Sequence, residues 1–288
     1  MYLGEKTLKF DVSEISHVDI DRLDNDQTVV IPQRIYLTIA DNLDTDIQRI
    51  FKHSRGLASF LSKFKDPFYG LSEDRQKGLG VGGEKFWRPN MNQAIKAHGL
   101  SKLFSEGDLI VSNRNNLQFA LAKIQYLCKL AIHFYTGMRH QEVQRLQPKP
   151  IHSVAVREGF SNESGKVVDK GKMVEVISTT TKFTSQRVKV SWFAPIEVKK
   201  AVTLLQRIHK GLSLVHGQTL RDDWLFITTE YIKTNRVLDG NFPSEFKATH
   251  KPIWLNDLII SELDYKELVN SDDSRVTCSN RFTQPVKG

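Results

Sequence analysis

Tyr135-Thr-Gly-Met-Arg-His-Gln-Glu-Val-Gln-Arg-Leu146 closes the longest clean apolar-periodic segment of the chain. Leu117, Leu121, Ile124, Cys128, Ala131 and Tyr135 recur at three- and four-residue intervals, and Ala120, Leu127 and Phe134 widen the stripe. Side chains at those spacings share one helix face, so the pattern predicts a buried helix of about five turns. Gly137 breaks it, and a second short helix follows with Val143 and Leu146 on one face. Arg139 therefore falls at a tight helix-to-helix corner, where a guanidinium projects from a rigid base.

Around this corner lie 288 residues, enough for one large domain or two ordinary ones. A net charge of +8 and a pI near 9.3 point toward a polyanionic partner. No apolar run approaches the roughly 18 residues of a membrane span, and Met1 to Phe10 lacks a secretory pattern. Cys128 and Cys278 are too few for a disulfide framework or a four-cysteine metal site, which fits a reducing, cytoplasmic compartment. Cys128 sits on the apolar stripe and reads as core.

Upstream, residues 1–40 are mixed and acidic, with a short strand expected at Thr28-Val-Val-Ile31 before Pro32. Leu43, Ile47, Ile50, Phe51, Leu57, Phe60, Leu61 and Phe64 keep helical spacing for about six turns, with Asp41 or Asn42 as the cap and Asp66-Pro67 as the stop. Gly78-Leu-Gly-Val-Gly-Gly83 matches the dinucleotide-binding glycine pattern, which needs a buried strand before it and a helix opening from it. Glu73-Asp-Arg-Gln-Lys77 cannot be a buried strand, so this stretch reads as a flexible loop. Residues 92–104 read as a short helix.

Downstream, Pro148 and Pro150 stop the second helix and three β-like runs begin: 151–157, 173–177 and 186–192. A Gly/Ser/Asn/Asp-rich loop, 158–172, separates the first two. In the third, Arg187, Lys189 and Ser191 alternate with Val188, Val190 and Trp192, the signature of a half-buried strand. The second and third runs form a hairpin with Lys182 at or near its tip. Ala194-Pro195 opens a helix buried through Val198, Val202, Leu205 and Ile208, with Gly211 as its stop. Trp224-Leu-Phe-Ile227 is a short buried segment, 230–250 a polar loop, and Ile253 to Leu263 helix-like.

This order of elements resembles the catalytic domain of the tyrosine recombinase (phage integrase) family over about residues 115–228. Thr136-Gly-Met-Arg-His-Gln-Glu142 with Leu146 is the specific part, and Lys182-x-x-x-x-Arg187 followed by alternating apolar residues is similar to the family's lysine hairpin. The resemblance implies a mainly α fold with a small three-stranded antiparallel sheet, forming part of such a catalytic domain over 96–288. Residues 1–95 are expected to be a mostly helical linker or a remnant of a DNA-binding arm. It also implies site-specific recombination and integration of double-stranded DNA for a mobile element, without metal, nucleotide or other cofactor, with assembly of copies on DNA.

In that chemistry a tyrosine attacks the scissile phosphate. A planar guanidinium matches two phosphate oxygens and stabilises the added charge, and Arg139 fits this role. Lys182 fits the general acid that protonates the leaving oxygen. Glu142, one helical turn past Arg139, is expected to orient the corner. Arg187 and Lys189 are candidates for phosphate contact, or else form the polar face of an edge strand.

The family's site continues with His-x-x-Arg and a nucleophilic tyrosine. None of the nine histidines is followed by arginine at that spacing; His250 precedes Lys-Pro-Ile. Tyr231 and Tyr265 follow the hairpin without a preceding motif. The expectation is a chain cut short, unable to cleave DNA alone. Alternatives are a DNA-binding module without chemistry, or an unrelated helical interaction protein.

Overall fold

The computed structural model describes residues 31–156, 172–181, 187–216, 224–232 and 251–264. These residues are mainly helical, with one three-stranded sheet. The chain divides into two compact units, one of Leu43–Pro252 and one of Tyr2–Asn42 with Ile253–Gly288.

In the second unit, Arg34 makes a forked contact with Asp264. Its Nε donates to Oδ1 at 2.9 Å and its Nη2 to Oδ2 at 2.6 Å. The Ser261 N–H and hydroxyl also donate to Oδ2, both at 2.7 Å, and together these donors hold the Asp264 carboxyl well below the usual carboxylate range. Ile253–Asp257 is a single 3-10 segment rather than the expected longer helix. The Thr28–Val30 part of the expected strand lies outside the described residues, as do 158–171 and most of 230–250.

Helix α1, Gln33–His53, starts well before the expected cap at Asp41 or Asn42. It begins directly after Pro32, whose carbonyl accepts the Tyr36 N–H at 2.9 Å; a proline costs nothing there, since its missing N–H would have no helical partner. The apolar stripe that continues through Leu57 to Phe64 is broken by a turn at Ser54-Arg55-Gly56, and α2 is Leu57–Ser62 followed by a 3-10 turn to Lys65. Gly56 explains the break: a Cβ there would lie 2.2 Å from the His98 carbonyl oxygen, so the turn packs at backbone distance. Short helices α3 (Glu73–Gly78), α4 (Met91–Ala97) and α5 (Ser101–Phe104) follow.

The central helix α6 spans Arg114–Thr136, capped by the Asn113 side chain on the Asn116 N–H at 2.9 Å. Its predicted stripe is buried from Leu117 to Ala131, with Leu117, Leu121, Ile124 and Cys128 at 0% exposure, while Tyr135 is half-buried. Burial pushes the Cys128 thiol far up, which leaves it inert core. Buried Gln125 acts as a backbone surrogate, donating to the Ile227 carbonyl at 2.9 Å and accepting the Ile227 N–H at 3.0 Å. This holds the expected buried segment, Leu225 to Ile227, against the helix.

Helix α7 is His140–Gln144. Strands β1 (Ile151–Val156), β2 (Lys172–Thr180) and β3 (Val188–Pro195) pair antiparallel in the order β1-β2-β3, with the β2–β3 register running from Met173↔Pro195 to Thr180↔Val188. The expected hairpin is therefore present. Val174, Val176, Ser178 and Thr180 alternate as the buried face of β2. β3 departs from the half-buried expectation. Val188 and Val190 share that inner face yet are 42% and 39% exposed, and only Ala194 in β3 is buried. β3 is an edge strand, and its burial rises only toward Ala194.

Helix α8, Glu197–His216, begins after Pro195, which closes β3 instead of opening the helix. It packs on α2 and α6 and buries Val198, Val202, Leu205 and Ile208 completely. Gly211 is not its stop. The helix runs through it, and a Cβ at Gly211 would stand 2.6 Å from Leu61 Cβ and 2.9 Å from the Ala58 carbonyl oxygen. Glycine lets α2 and α8 meet backbone to backbone.

Candidate functional site

Gly137 ends α6 with φ +67°, donating its N–H to the His133 carbonyl at 2.9 Å. That left-handed conformation is open to glycine and strained for other residues, so the chain can turn sharply there. Thr136 reinforces the corner. Its hydroxyl donates to the Ile132 carbonyl at 2.5 Å and accepts the Met138 N–H at 3.2 Å.

Arg139 follows in extended conformation, with φ −70° and ψ 156°, just before α7. Its peptide N–H donates to Glu142 Oε2 at 2.6 Å, while its side chain is exposed. Glu142 is itself buried at 6% exposure. Its Oε1 accepts the Thr180 hydroxyl at 2.6 Å and its main-chain carbonyl accepts the Ser178 hydroxyl at 2.5 Å. One carboxylate thus joins the arginine corner to the last inward-facing residue of β2, the strand that leads into the Lys182 segment. Ser178 and Thr180 carry no motif of their own. Their two-residue spacing on a strand face is the signal that could have found them.

His133, on the last turns of α6, supports the corner from below. Its Nδ1 lies 2.8 Å from the Met138 carbonyl, and a carbonyl can only accept, so the ring carries its proton on Nδ1. The ring also stacks on His140, with centroids 6.0 Å apart and planes at 22°. Burial, then the neighbouring Lys129 and His140, lowers its pKa to about 4, against the raising effect of the Met138 bond and Glu142.

A protonation penalty follows, with a definite sign. The unfolded imidazole titrates near 6.5 and the folded one near 4, so the unfolded state binds more protons between those values. His133 stabilises nothing at pH 7 by this route, and the fold loses about 2 kcal/mol as pH falls from about 6.5 to 4, allowing for partial exposure of the ring. Urea denaturation at pH 7 and pH 4.5 should show a drop that is smaller by about that amount in His133→Gln. An equal drop in both proteins would remove His133 as its source.

Of the other sequence-predicted residues, Lys182 lies outside the described residues, between Thr181 and Arg187. Arg187 is exposed just before β3. Lys189 is exposed in β3 opposite Thr179, so it stands on the sheet face away from Thr180 and Glu142. The structure brings the Arg139 corner to the end of the hairpin and places Lys189 on the opposite side. Of the tyrosines after the hairpin, Tyr265 and the side chain of Tyr231 lie outside the described residues.

A cleft of about 800 Å³ opens among Leu71 to Arg75, Asn90 to Asn92 and Ser112 to Asn115. It lies at the N-terminal end of α6, roughly 33 Å of helical rise from Thr136 at the other end. Its one buried charge, Arg114, donates to the carbonyls of Tyr69 at 2.6 Å and Pro67 at 2.8 Å and lies over the Phe64 ring. Burial lowers its pKa to about 10. Arg114 thus ties the Pro67–Tyr69 turn to α6. Among the described residues no His/Cys/Asp/Glu group could hold a metal, and no helix is long and apolar enough to cross a membrane. No protein-family model, curated protein or solved structure gives a significant match to this chain.

Proposed function

We propose that this chain binds double-stranded DNA through the Arg139 corner, as a member of the tyrosine recombinase class that carries out site-specific recombination. One observation carries the reading: Arg139 is fixed at its peptide by buried Glu142 while its guanidinium is exposed. A planar fork on a rigid base suits a phosphodiester, since little entropy is lost when it engages two oxygens. Glu142 also accepts the Thr180 hydroxyl at the end of β2, which supports a reading in which the arginine corner and the hairpin act on one phosphate. Lys182 is the proposed proton donor to the leaving oxygen. Arg187 and Lys189 are proposed phosphate contacts, with Lys189 serving backbone beyond the Arg139 face.

None of the nine histidines begins a His-x-x-Arg motif, and neither Tyr231 nor Tyr265 follows one. The 288-residue chain is therefore expected to bind DNA without forming a covalent link. In fluorescence anisotropy, affinity should fall steeply with salt, and Arg139→Ala should weaken it about tenfold. After incubation with nicked duplex, denaturing electrophoresis should show no protein–DNA adduct. An adduct that survives SDS would overturn the non-covalent reading, and its loss in Tyr265→Phe would name the nucleophile. Absence of DNA binding at low salt would overturn the proposal as a whole and leave a helical interaction protein.

A further inference from the structure

The glycine-rich stretch that mimics a dinucleotide motif follows a helix, α3, and leads to a 3-10 turn at Glu84–Phe86. It has neither the strand nor the opening helix that a cofactor site requires. It is nonetheless built with care. Buried Gln76 clamps both of its ends, donating to the Arg88 carbonyl at 2.8 Å and the Leu71 carbonyl at 3.0 Å, and accepting the Arg88 N–H at 2.7 Å. The Arg88 guanidinium pairs with Asp66, adding a second anchor. Between these anchors the loop stands clear of the body. A Cβ at Gly78, Gly80, Gly82 or Gly83 would meet no heavy atom within 4 Å. Gly80 and Gly83 take φ +84° and +74°, which turns the chain twice in four residues.

This projecting loop exposes apolar side chains. Phe86 is 64% exposed and Leu79 52%. Between its anchors the loop carries Lys77 and Lys85 against the single acid Glu84, while Arg88 is already paired with Asp66. Large apolar tips flanked by cations, on a loop pinned at its base, are how proteins insert wedges into a DNA minor groove. An anionic membrane shares the charge preference, but two side chains bury little apolar area, and stable membrane anchoring needs a larger apolar face or a second signal. The surface suits a polyanion with a narrow groove better.

We infer that the Lys77–Arg88 loop is a second DNA-contact surface, in which Phe86 and Leu79 pack as an apolar wedge in the minor groove while Lys77 and Lys85 take the flanking phosphates. The inference rests on the DNA reading of the Arg139 corner and extends it to a surface with different chemistry. Its two contributions separate experimentally, because a wedge acts independently of salt and a phosphate contact does not.

The test uses the full 288-residue chain and a short duplex containing flexible TA steps, labelled at both ends. Phe86→Ala should raise the dissociation constant about tenfold with an unchanged salt slope. It should also abolish any shortening of the end-to-end distance seen by energy transfer. Lys77→Gln with Lys85→Gln should lower the slope of log K against log salt by about two. All three side chains are exposed, and circular dichroism would verify that each variant folds. A Phe86→Ala dissociation constant within twofold of wild type, while Arg139→Ala weakens binding, overturns this inference alone. Co-sedimentation with phosphatidylserine vesicles that Phe86→Ala abolishes, with DNA affinity unchanged, would reassign the loop to a membrane surface. No DNA binding by the wild-type chain overturns both readings.

Discussion

Replacing Gly211 by alanine is expected to destabilise the fold by about 2 kcal/mol. Two opposing effects decide the sign. Alanine is the better helix former by about 1 kcal/mol, which taken alone predicts stabilisation at a mid-helix position. Against it, the new Cβ would sit 2.6 Å from Leu61 Cβ, 2.9 Å from the Ala58 carbonyl oxygen and 3.2 Å from Ala58 Cα. These atoms belong to the backbone or its first carbon, so no rotamer change relieves the overlap and α2 must move away from α8. Overpacking of that kind costs about 3 kcal/mol at its upper range, which leaves the net loss. Gly56, whose Cβ would meet the His98 carbonyl oxygen at 2.2 Å, should respond at least as strongly. Gly82, with open space around it, is the control and should shift by less than about 0.5 kcal/mol. Urea denaturation midpoints at constant m-value measure all three. A Gly211→Ala protein as stable as wild type would mean that the close approach of α2 and α8 is not what holds them.

Substitution of Glu142 by leucine should cost about 3 kcal/mol and impair DNA binding beyond that loss of stability. The carboxylate is buried and accepts from the Arg139 N–H and the Thr180 hydroxyl. Leucine fills similar space but removes the carboxylate bonds to the Arg139 N–H and the Thr180 hydroxyl, and losing buried hydrogen bonds of this kind costs about 1–3 kcal/mol. Glutamine retains one carbonyl acceptor, and its amide can donate to Thr180, so Glu142→Gln should lose only about 1 kcal/mol. The functional readout separates support from position. Measured well below the unfolding midpoint, Glu142→Leu should weaken DNA binding about as much as Arg139→Ala, because Arg139 is then present but no longer held. Wild-type affinity in a folded Glu142→Leu protein would show that the corner does not depend on this carboxylate.

The parts of this protein that could be read from its residues are those governed by local rules. The stripe from Leu117 to Tyr135 and the glycine after it are sufficient for α6 and its left-handed stop, because helical periodicity and glycine's freedom at positive φ act within a few residues. The β2–β3 pairing follows from two β-rich runs joined through a short segment, and Glu142 one turn past Arg139 is close enough to be expected at the corner. The break at Gly56 was hidden for the opposite reason. The apolar stripe continues on both sides of it, and only the carbonyl of His98, far along the chain, requires a glycine there. Val188 and Val190 alternate as core residues should, yet β3 is an outer strand and its start lacks cover, which period-two alternation cannot report.

The amino-acid sequence by itself determined a mainly helical chain and a corner at Arg139, since both arise from neighbours within one or two turns, and the alternating runs that pair as a small antiparallel sheet. Tertiary structure alone decided which residues support that corner. Ser178 and Thr180 reach Glu142 across more than thirty positions of sequence, at 2.5 and 2.6 Å. It also decided that Gly211 lies inside a helix, and that Lys189 faces away from Arg139. Contacts made by chain segments far apart depend on how elements pack, and packing distance is not encoded in any local spacing.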